Sequence, residues 1–199
     1  MSLSLTMAAI FATAIAGVGA LFCQKCYEVN QTSCTGPFML CPEDVTHCIK
    51  GLENNTVGDS VIMSAFKDCV DPSKQVDCEK GVNFRNSVVL VRIERSCCDK
   101  DFCNAGDLQM SDVDQTPNGH KCDDCFSGES SAPCTAGKQI LCIGKEDTCA
   151  SFNGTAVRPG EDEQQYSLRG CITKESCDRG AFNIAGIRVY TYDFECTAP

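Results

Sequence analysis

The chain has 199 residues, of which 18 are cysteine and none is tryptophan, and its formal net charge is −10. So high a cysteine content predicts a disulfide scaffold made in an oxidising compartment and argues against a cytosolic enzyme, whose thiols would stay unpaired. The excess of 27 acidic over 17 basic residues argues against nucleic acid and anionic membranes as partners, since both attract basic surfaces. Composition therefore predicts a soluble, acidic, extracellular protein.

The N-terminal segment has the features of a signal peptide, residues 1–20. Residues 1–22 carry no charged side chain, and the small side chains before Leu21 suit signal peptidase, so we expect cleavage after Ala20. An uncleaved membrane anchor is the alternative, because about 20 apolar residues can span a bilayer. The lack of a basic flank favours the cleaved form. Residues 194–199 contain no hydrophobic tail, so we expect a secreted product without a C-terminal lipid anchor.

The cysteines form two copies of one spacing pattern, which predicts a duplicated domain. The numbers of residues between them are 2, 7, 6, 6, 20, 8 and 18 in the first copy, up to Cys97, and 2, 8, 7, 6, 21, 5 and 18 in the second, up to Cys196. The copies contain ten and eight cysteines, so each cysteine can pair within its own copy. Spacing alone leaves the connectivity open.

The chain divides into a first domain at residues 21–106, a linker at 107–120 and a second domain at 121–199. The linker is polar and acidic and ends in a Pro-Asn-Gly turn signal. Short β-prone runs lie between the cysteines, and no segment shows a sustained helical period. The runs are residues 60–66 and 88–95 in the first copy and 165–168 and 187–192 in the second, with Val89, Val91 and Ile93 predicted to share one face. We therefore expect an all-β, disulfide-rich protein with antiparallel strands and long loops on a cysteine hub.

Catalytic and metal chemistry have little support in the sequence. The two histidines, His47 and His120, accompany no nucleophile motif, so no enzyme is expected. The Cys-x2-Cys pair that opens each copy has the spacing of zinc ligands, but a secreted chain with even cysteine counts favours disulfides. Four aspartates suggest calcium without the spacing of an EF-hand, and we interpret them as solvated acidic residues: Asp112, Asp114, Asp123 and Asp124. No cofactor is predicted.

Surface chemistry offers three sets of candidate residues. Glycosylation sequons begin at Asn30, Asn54 and Asn153, and the last two are expected in equivalent loops after the fifth cysteine of each copy. The strongest charge run is Glu161, Asp162 and Glu163, which is either a solvated loop tip or a contact for a basic partner. Tyr190, Tyr192 and Phe194 have strand spacing and are interpreted as packing rather than as a binding stripe.

The pattern from Cys23 to Asn104, ending in Cys97-Cys98-Asp99-Lys100-Asp101-Phe102-Cys103-Asn104, resembles the Ly6/uPAR three-finger domain. The tandem arrangement, whose second copy ends in Glu-Cys-Thr and lacks the final cysteine pair, is similar to the gamma-type phospholipase A2 inhibitors. The amphibian sodefrin precursor-like factor family is closer still, through stretches that read as follows: Asp44-Val-Thr-His-Cys48, Gly51-Leu-Glu-Asn-Asn-Thr56, Ala65-Phe-Lys-Asp-Cys69, Thr116-Pro-Asn-Gly119 and Lys121-Cys122.

The resemblance implies a connectivity and a function. The implied bridges are Cys23–Cys48, Cys26–Cys34, Cys41–Cys69, Cys78–Cys97 and Cys98–Cys103, then Cys122–Cys149, Cys125–Cys134, Cys142–Cys171 and Cys177–Cys196. The implied function is that of a non-enzymatic courtship pheromone acting on a chemosensory receptor. A binding inhibitor of secreted phospholipase A2 is the first alternative, and a structural or mucosal secretory protein without a dedicated receptor is the second.

Overall fold

The computed structural model describes residues 20–70, 78, 81–177 and 188–199; the predicted signal peptide lies outside these ranges except for Ala20. The described part is built almost entirely of strands, which confirms the all-β prediction, and its one helix is the short α1 (Lys174–Cys177). No helix in the described ranges is long and apolar enough to cross a membrane. The strands are β1 (Phe22–Gln24), β2 (Cys26–Val29), β3 (Phe38–Leu40), β4 (Cys48–Val57), β5 (Ser60–Cys69), β6 (Val82–Arg85), β7 (Val89–Cys98), β8 (Pro117–Ser127), β9 (Lys138–Ile143), β10 (Thr148–Val157), β11 (Glu163–Ile172) and β12 (Arg188–Thr197).

The β-prone runs of the sequence lie largely within β5, β7, β11 and β12, although Ile187 is outside the described residues. β8 begins at Pro117, inside the predicted linker. Most of the remaining linker residues are exposed, but its first part contacts the first copy. Leu108 and Met110 pack on the buried Leu52 of β4, and the Ser111 backbone N–H donates to the Glu94 carboxylate at 3.0 Å. Residues 108–111 are therefore fastened to the first copy.

Nine disulfides join all 18 cysteines, each within one copy. The pairs coincide with those implied by the three-finger resemblance. Their sulfurs form the interior of each hub: Cys23 and Cys48 are fully buried in the first copy, as is Cys142 in the second. Each bridge contributes about 2–4 kcal/mol, mainly by restricting the unfolded chain. The bridges thus replace part of the apolar core that a small domain lacks.

The same three-strand unit recurs in both copies. In the first, β4 pairs antiparallel with β5 and β7 over ten residues each. In the second, β10 pairs in the same way with β11 and β12, with one register irregularity on the β12 side. β1 and β3 form a separate two-stranded sheet, and β8 pairs with β9 at the corresponding position of the second copy.

One sheet runs through both copies, because β6 of the first copy pairs with β11 of the second as well as with β7. The strand order is β12-β10-β11-β6-β7-β4-β5-β2. Phe84 lies opposite Ile172 and Arg85 opposite Cys171 at this seam. A Cβ added to Gly170 of β11 would lie 2.3 Å from the Arg85 carbonyl oxygen, so only glycine permits this approach.

The two copies bury one common apolar core. Val89, Val91 and Ile93 are buried on the same face of β7, which confirms the predicted alternation. They belong to one cluster with Phe84 of β6 and with Phe152 of β10 in the second copy. Burying large apolar side chains such as these contributes about 1.5–3 kcal/mol each. The copies are consequently one folding unit rather than two independent modules.

A buried ion pair crosses the seam. The Glu146 side chain is fully buried, and its carboxylate accepts hydrogen bonds from Arg85 Nε at 3.1 Å and Arg85 Nη2 at 2.9 Å. The Asn83 amide at 3.3 Å and the Ile143 backbone N–H at 2.9 Å also donate to it. Arg85 Nη2 also donates to the Leu141 carbonyl at 2.6 Å. The buried charge is therefore compensated by donors from both copies.

The turn between β6 and β7 is held against the second copy by one asparagine. The Asn86 amide nitrogen donates to the carbonyls of Cys125, at 2.9 Å, and Arg169, at 3.2 Å. Its carbonyl oxygen accepts from the backbone N–H groups of Val88 and Val89 in its own turn. Asn86 is buried, and its side chain satisfies backbone groups of both copies.

We predict that Arg85→Met lowers the free energy of unfolding by about 3–5 kcal/mol, because Glu146 would remain buried without its cation. The matched control is Lys25→Met, which removes the more exposed ion pair with Asp68 (2.9 Å) and should cost less than about 1 kcal/mol. Chemical denaturation with all bridges oxidised measures both. If the two substitutions lower the free energy of unfolding equally, the role assigned to the Arg85–Glu146 pair is contradicted.

Candidate functional site

A cleft lies at the junction of the two copies. Its volume is about 540 Å³. It combines the acidic side chains Glu129 and Glu161 with the aromatic rings of Phe126 and Tyr166. Burial raises the pKa of the Tyr166 hydroxyl, and the charge of Arg158 opposes that rise. The lining residues are Val57 and Ser60 of the first copy, and Phe126, Ser127, Gly128, Glu129, Arg158, Glu161, Gln164 and Tyr166 of the second.

The predicted acidic run reaches this junction cleft through Glu161, the one of its three members that lines it, and the structure separates the three. Glu161 closes a turn in which Gly160 has φ +73°, and its carboxylate accepts from Arg158 Nη1 at 2.9 and 3.0 Å. Asp162 and Glu163 are exposed, and Glu163 begins β11. Glu161 therefore has a structural partner, whereas Asp162 and Glu163 present their carboxylates to solvent.

Glu161 is more than a surface charge, because it is paired with the buried guanidinium of Arg158. Its guanidinium is buried and reaches the first copy, donating from Nε to Asn55 Oδ1 at 3.1 Å and from Nη2 to the Asn55 carbonyl at 3.0 Å. Nη2 also lies 3.4 Å from the Ser60 carbonyl. Since a buried guanidinium requires a compensating charge, Glu161 supports the contact between the copies.

A second buried carboxyl lies close to Arg158, on the same face of β4 as Asn55. Glu53 is fully buried, and its oxygens accept from the Asn55 amide at 3.4 Å and from the Ser64 hydroxyl at 3.1 Å. Burial raises the pKa of Glu53 to about 7, although these two hydrogen bonds and the charge of Arg95 act to lower it. Glu53 is thus a proton-binding group inside the shared structure, and the sequence offered no signal for it.

The three aromatic residues with strand spacing, predicted to pack, are divided between packing and exposure. Phe194 packs against the shared core, and the Tyr192 ring stacks on Phe152 with centroids 6.0 Å apart. Tyr190 is 53% exposed on β12, which pairs with β10. The packing interpretation therefore describes Phe194 and one face of Tyr192, while Tyr190 stays available for contacts.

An exposed apolar patch at the hub of the first copy was missed by the sequence analysis. The Phe102 ring stacks on Phe22 with centroids 5.6 Å apart and meets Phe38 edge-on at 4.9 Å. The neighbouring Met39 and Leu40 are about half exposed. The signal was present in the run of residues 38–40, but it was too short to distinguish a buried strand from an exposed one.

The three sequons occupy different environments. Asn30 is exposed and has φ +61° in the segment after β2. Asn54 lies in β4, not in a loop, and its side-chain oxygen accepts from the Thr56 hydroxyl at 2.7 Å. Asn153 lies in β10, and its oxygen accepts from Ser167 at 2.7 Å. The prediction of equivalent loops is therefore wrong for both, because these strands extend beyond the cysteines that begin them. Occupancy stays a prediction for all three.

Sulfur clusters in the hubs do not offer metal ligands. Three sulfurs in each copy lie within 4.8 Å of one another, those of Cys23, Cys41 and Cys69 and those of Cys122, Cys142 and Cys171. Every one of them belongs to a disulfide, and a disulfide sulfur carries no thiolate charge for zinc. The clusters are the places where two bridges of one hub lie side by side.

Comparison with known proteins supports the architecture. The profile of the u-PAR/Ly-6 domain matches residues 19–106 and 118–198. Protein RoBo-1 of Rattus norvegicus is 29% identical over 82 residues, which is 41% of this chain and 32% of RoBo-1, so the match spans about a third of that relative's length. Mouse TEX101 aligns with 89% of this chain and 98% of its own, at 16% identity and a TM-score of 0.41. Because the domain profile covers most of the chain in two separate matches, the chain belongs to the u-PAR/Ly-6 domain family.

Proposed function

We propose that this chain is a secreted, non-enzymatic binding protein that acts as a courtship pheromone of the sodefrin precursor-like type on a chemosensory receptor. The exported form begins at Leu21 and consists of domains 21–106 and 121–199, joined by residues 107–120. The sequence resemblance is the source of the pheromone assignment. The observation that carries the binding role is the junction cleft, where aromatic rings and exposed carboxylates are held on a rigid frame.

Rigidity supports recognition by this surface. The residues that line the cleft come from β4, β5, β8 and β11, from the segment after β8 and from the turn between β10 and β11. The seam and the shared core connect the strands of the two copies. A preorganised surface loses less conformational entropy when a partner binds. Asp162 and Glu163 follow the lining residue Glu161 in the chain and form an exposed acidic edge, and complementary charge accelerates association with a basic partner. We therefore assign the receptor contact to this junction.

A non-enzymatic role is supported by the surroundings of the groups that could have been catalytic. His47 Nδ1 lies 2.9 Å from the hydroxyl of the adjacent Thr46, and the His120 backbone N–H donates to the Asn118 side chain at 3.0 Å. All 18 cysteines are in disulfides. The second candidate function, inhibition of a secreted phospholipase A2, also needs only a binding surface, and Thr197 at the position of Cys98 matches the inhibitor-like second copy.

The deciding experiment uses one oxidised protein and two partners. We expect calcium responses from chemosensory epithelium of the source animal and no heat of binding to a secreted phospholipase A2 in calorimetry. Reduced and alkylated protein is the control, since it keeps the composition but loses the fold. Tight phospholipase binding with a silent epithelium would contradict the pheromone proposal and favour the inhibitor. Silence toward both would leave the structural secretory role.

The acidic edge is tested by Asp162→Asn combined with Glu163→Gln, which leaves Glu161 on Arg158. We expect association with the active partner to slow by about three- to tenfold at low salt and to become less salt-dependent. Glu28→Gln combined with Asp44→Asn removes the same charge from exposed positions of the first copy and should have a smaller effect. Association rates from surface plasmon resonance distinguish the pairs. If both pairs of substitutions act equally, net charge rather than this edge governs binding.

A separate prediction concerns the Glu53 carboxyl. Because its pKa is about 7 in the folded protein and near 4.5 when unfolded, the folded state binds its proton more tightly. The stability from this proton is present below pH 4.5 and is lost as the pH rises through 7. As the pH rises from 4.5 to 8, the free energy of unfolding of the unmodified protein should therefore fall by about 3 kcal/mol relative to that of the Glu53→Gln variant. Denaturant titrations at several pH values measure the free energy of unfolding of both proteins. If the difference between the two proteins does not change with pH, the raised pKa of Glu53 is ruled out.

A further inference from the structure

A small apolar cavity, which we call the inner cavity, lies in the shared core between the two copies. Its volume is about 40 Å³, which gives room for about three water-sized spheres, the size of a small branched alkyl group. Protein interiors leave few gaps larger than a water molecule, so this gap is a candidate ligand site. The apolar walls are Val57, Val89 and Val91 of the first copy and Phe152, Ala156 and Leu168 of the second.

Water is a poor occupant of the inner cavity, because the polar groups in its wall are engaged elsewhere. Arg158 donates from Nε and Nη2 to Asn55, at 3.1 and 3.0 Å, and from Nη1 to Glu161 at 2.9 Å. The Tyr166 hydroxyl donates to Gln164 Oε1 at 3.3 Å. A buried water needs several polar partners, so an apolar group suits this cavity better.

The inner cavity adjoins the junction cleft. Four residues line both of them: Val57, Phe126, Arg158 and Tyr166. The centroids of the Phe126 and Tyr166 rings are 6.4 Å apart, so two aromatic side chains lie at the boundary between the cavity and the cleft. One ligand can therefore place an apolar end in the cavity and a polar end in the cleft.

The charges that line the junction cleft favour a cation at the polar end. Arg158 and Glu161 form an ion pair of 2.9 Å, so their charges compensate each other. Glu129 also lines the cleft and is exposed. Within the part of the chain that the structure describes, no cation pairs with its carboxylate. A positively charged group is therefore attracted to the cleft, and aromatic rings attract cations as well.

We propose that the junction cleft and the inner cavity together bind a short, branched aliphatic amine. Its alkyl end occupies the cavity, and its ammonium lies in the cleft, where Glu129 supplies the opposite charge. The reverse orientation would bury the ammonium among apolar walls without a compensating charge, which is costly. A carboxylate in place of the ammonium would meet the like charge of Glu129. The site lies within the surface assigned to the receptor contact, but it does not depend on that assignment.

The probe is isopentylamine, which carries a branched alkyl end and, at neutral pH, an ammonium. Titrated into the oxidised full chain, it should shift the methyl NMR signals of Val57, Val89 and Val91 saturably, with a Kd of about 1 mM. Isopentyl alcohol has the same shape without the charge and should bind at least about threefold more weakly. Absence of saturable shifts at these methyl groups, or equal binding of the amine and the alcohol, would overturn the proposal.

Two variants of the chain test the cavity and the charge separately. Ala156→Ile fills the inner cavity and should weaken binding of the amine by at least about tenfold, and thermal unfolding checks that this variant is folded. Glu129→Gln, at an exposed position, should lower the affinity for the amine to that for the alcohol and leave the affinity for the alcohol unchanged. The matched control is Glu28→Gln, exposed on β2, which should change neither affinity. Unchanged binding of the amine to Glu129→Gln, or to folded Ala156→Ile, would refute the site.

Discussion

The shared apolar core between the two copies is the interaction on which the rest of the structure depends. Each copy of about 80 residues has its sulfurs in the hub, which leaves the face of its three-stranded unit to be covered by something else. Phe84 of β6 and Val91 and Ile93 of β7 belong to one buried cluster with Phe152 of β10. The seam between β6 and β11 then joins the ladders into one sheet. The junction cleft exists because this packing holds β4 and β11 at a constant distance.

Polar groups that enter this common interior must be compensated there. Arg85 meets Glu146 with donors from both copies around it, and Arg158 meets Glu161 and the Asn55 backbone. Burial of the Glu53 carboxyl raises its pKa to about 7, although the hydrogen bonds from two neutral side chains act to lower it. A proton-binding carboxyl is therefore buried in the first copy beside Asn55, the residue that accepts from Arg158 of the second copy.

The two copies share a scaffold but differ in what covers it. Leu52 of the first copy is buried under Leu108 and Met110 of the connecting segment. At the equivalent position after the fifth cysteine, the second copy has Asn153, hydrogen-bonded to Ser167. The end of the hub in the first copy is closed by Asn104. The two copies of the duplicated domain thus cover equivalent positions of one scaffold with different contacts.

The sequence by itself determined the class of fold, the duplication and the positions of the main strands, because cysteine spacing and period-two alternation are local patterns. It also located the acidic run. The tertiary structure decided which of those residues stay exposed: Glu161 is paired with Arg158, whereas Asp162 and Glu163 are exposed to solvent. The burial of Glu53 and Glu146 and the continuous sheet likewise had no local signal. Each depends on contacts between residues far apart in the chain, and spacing along one strand carries no information about what lies across from it.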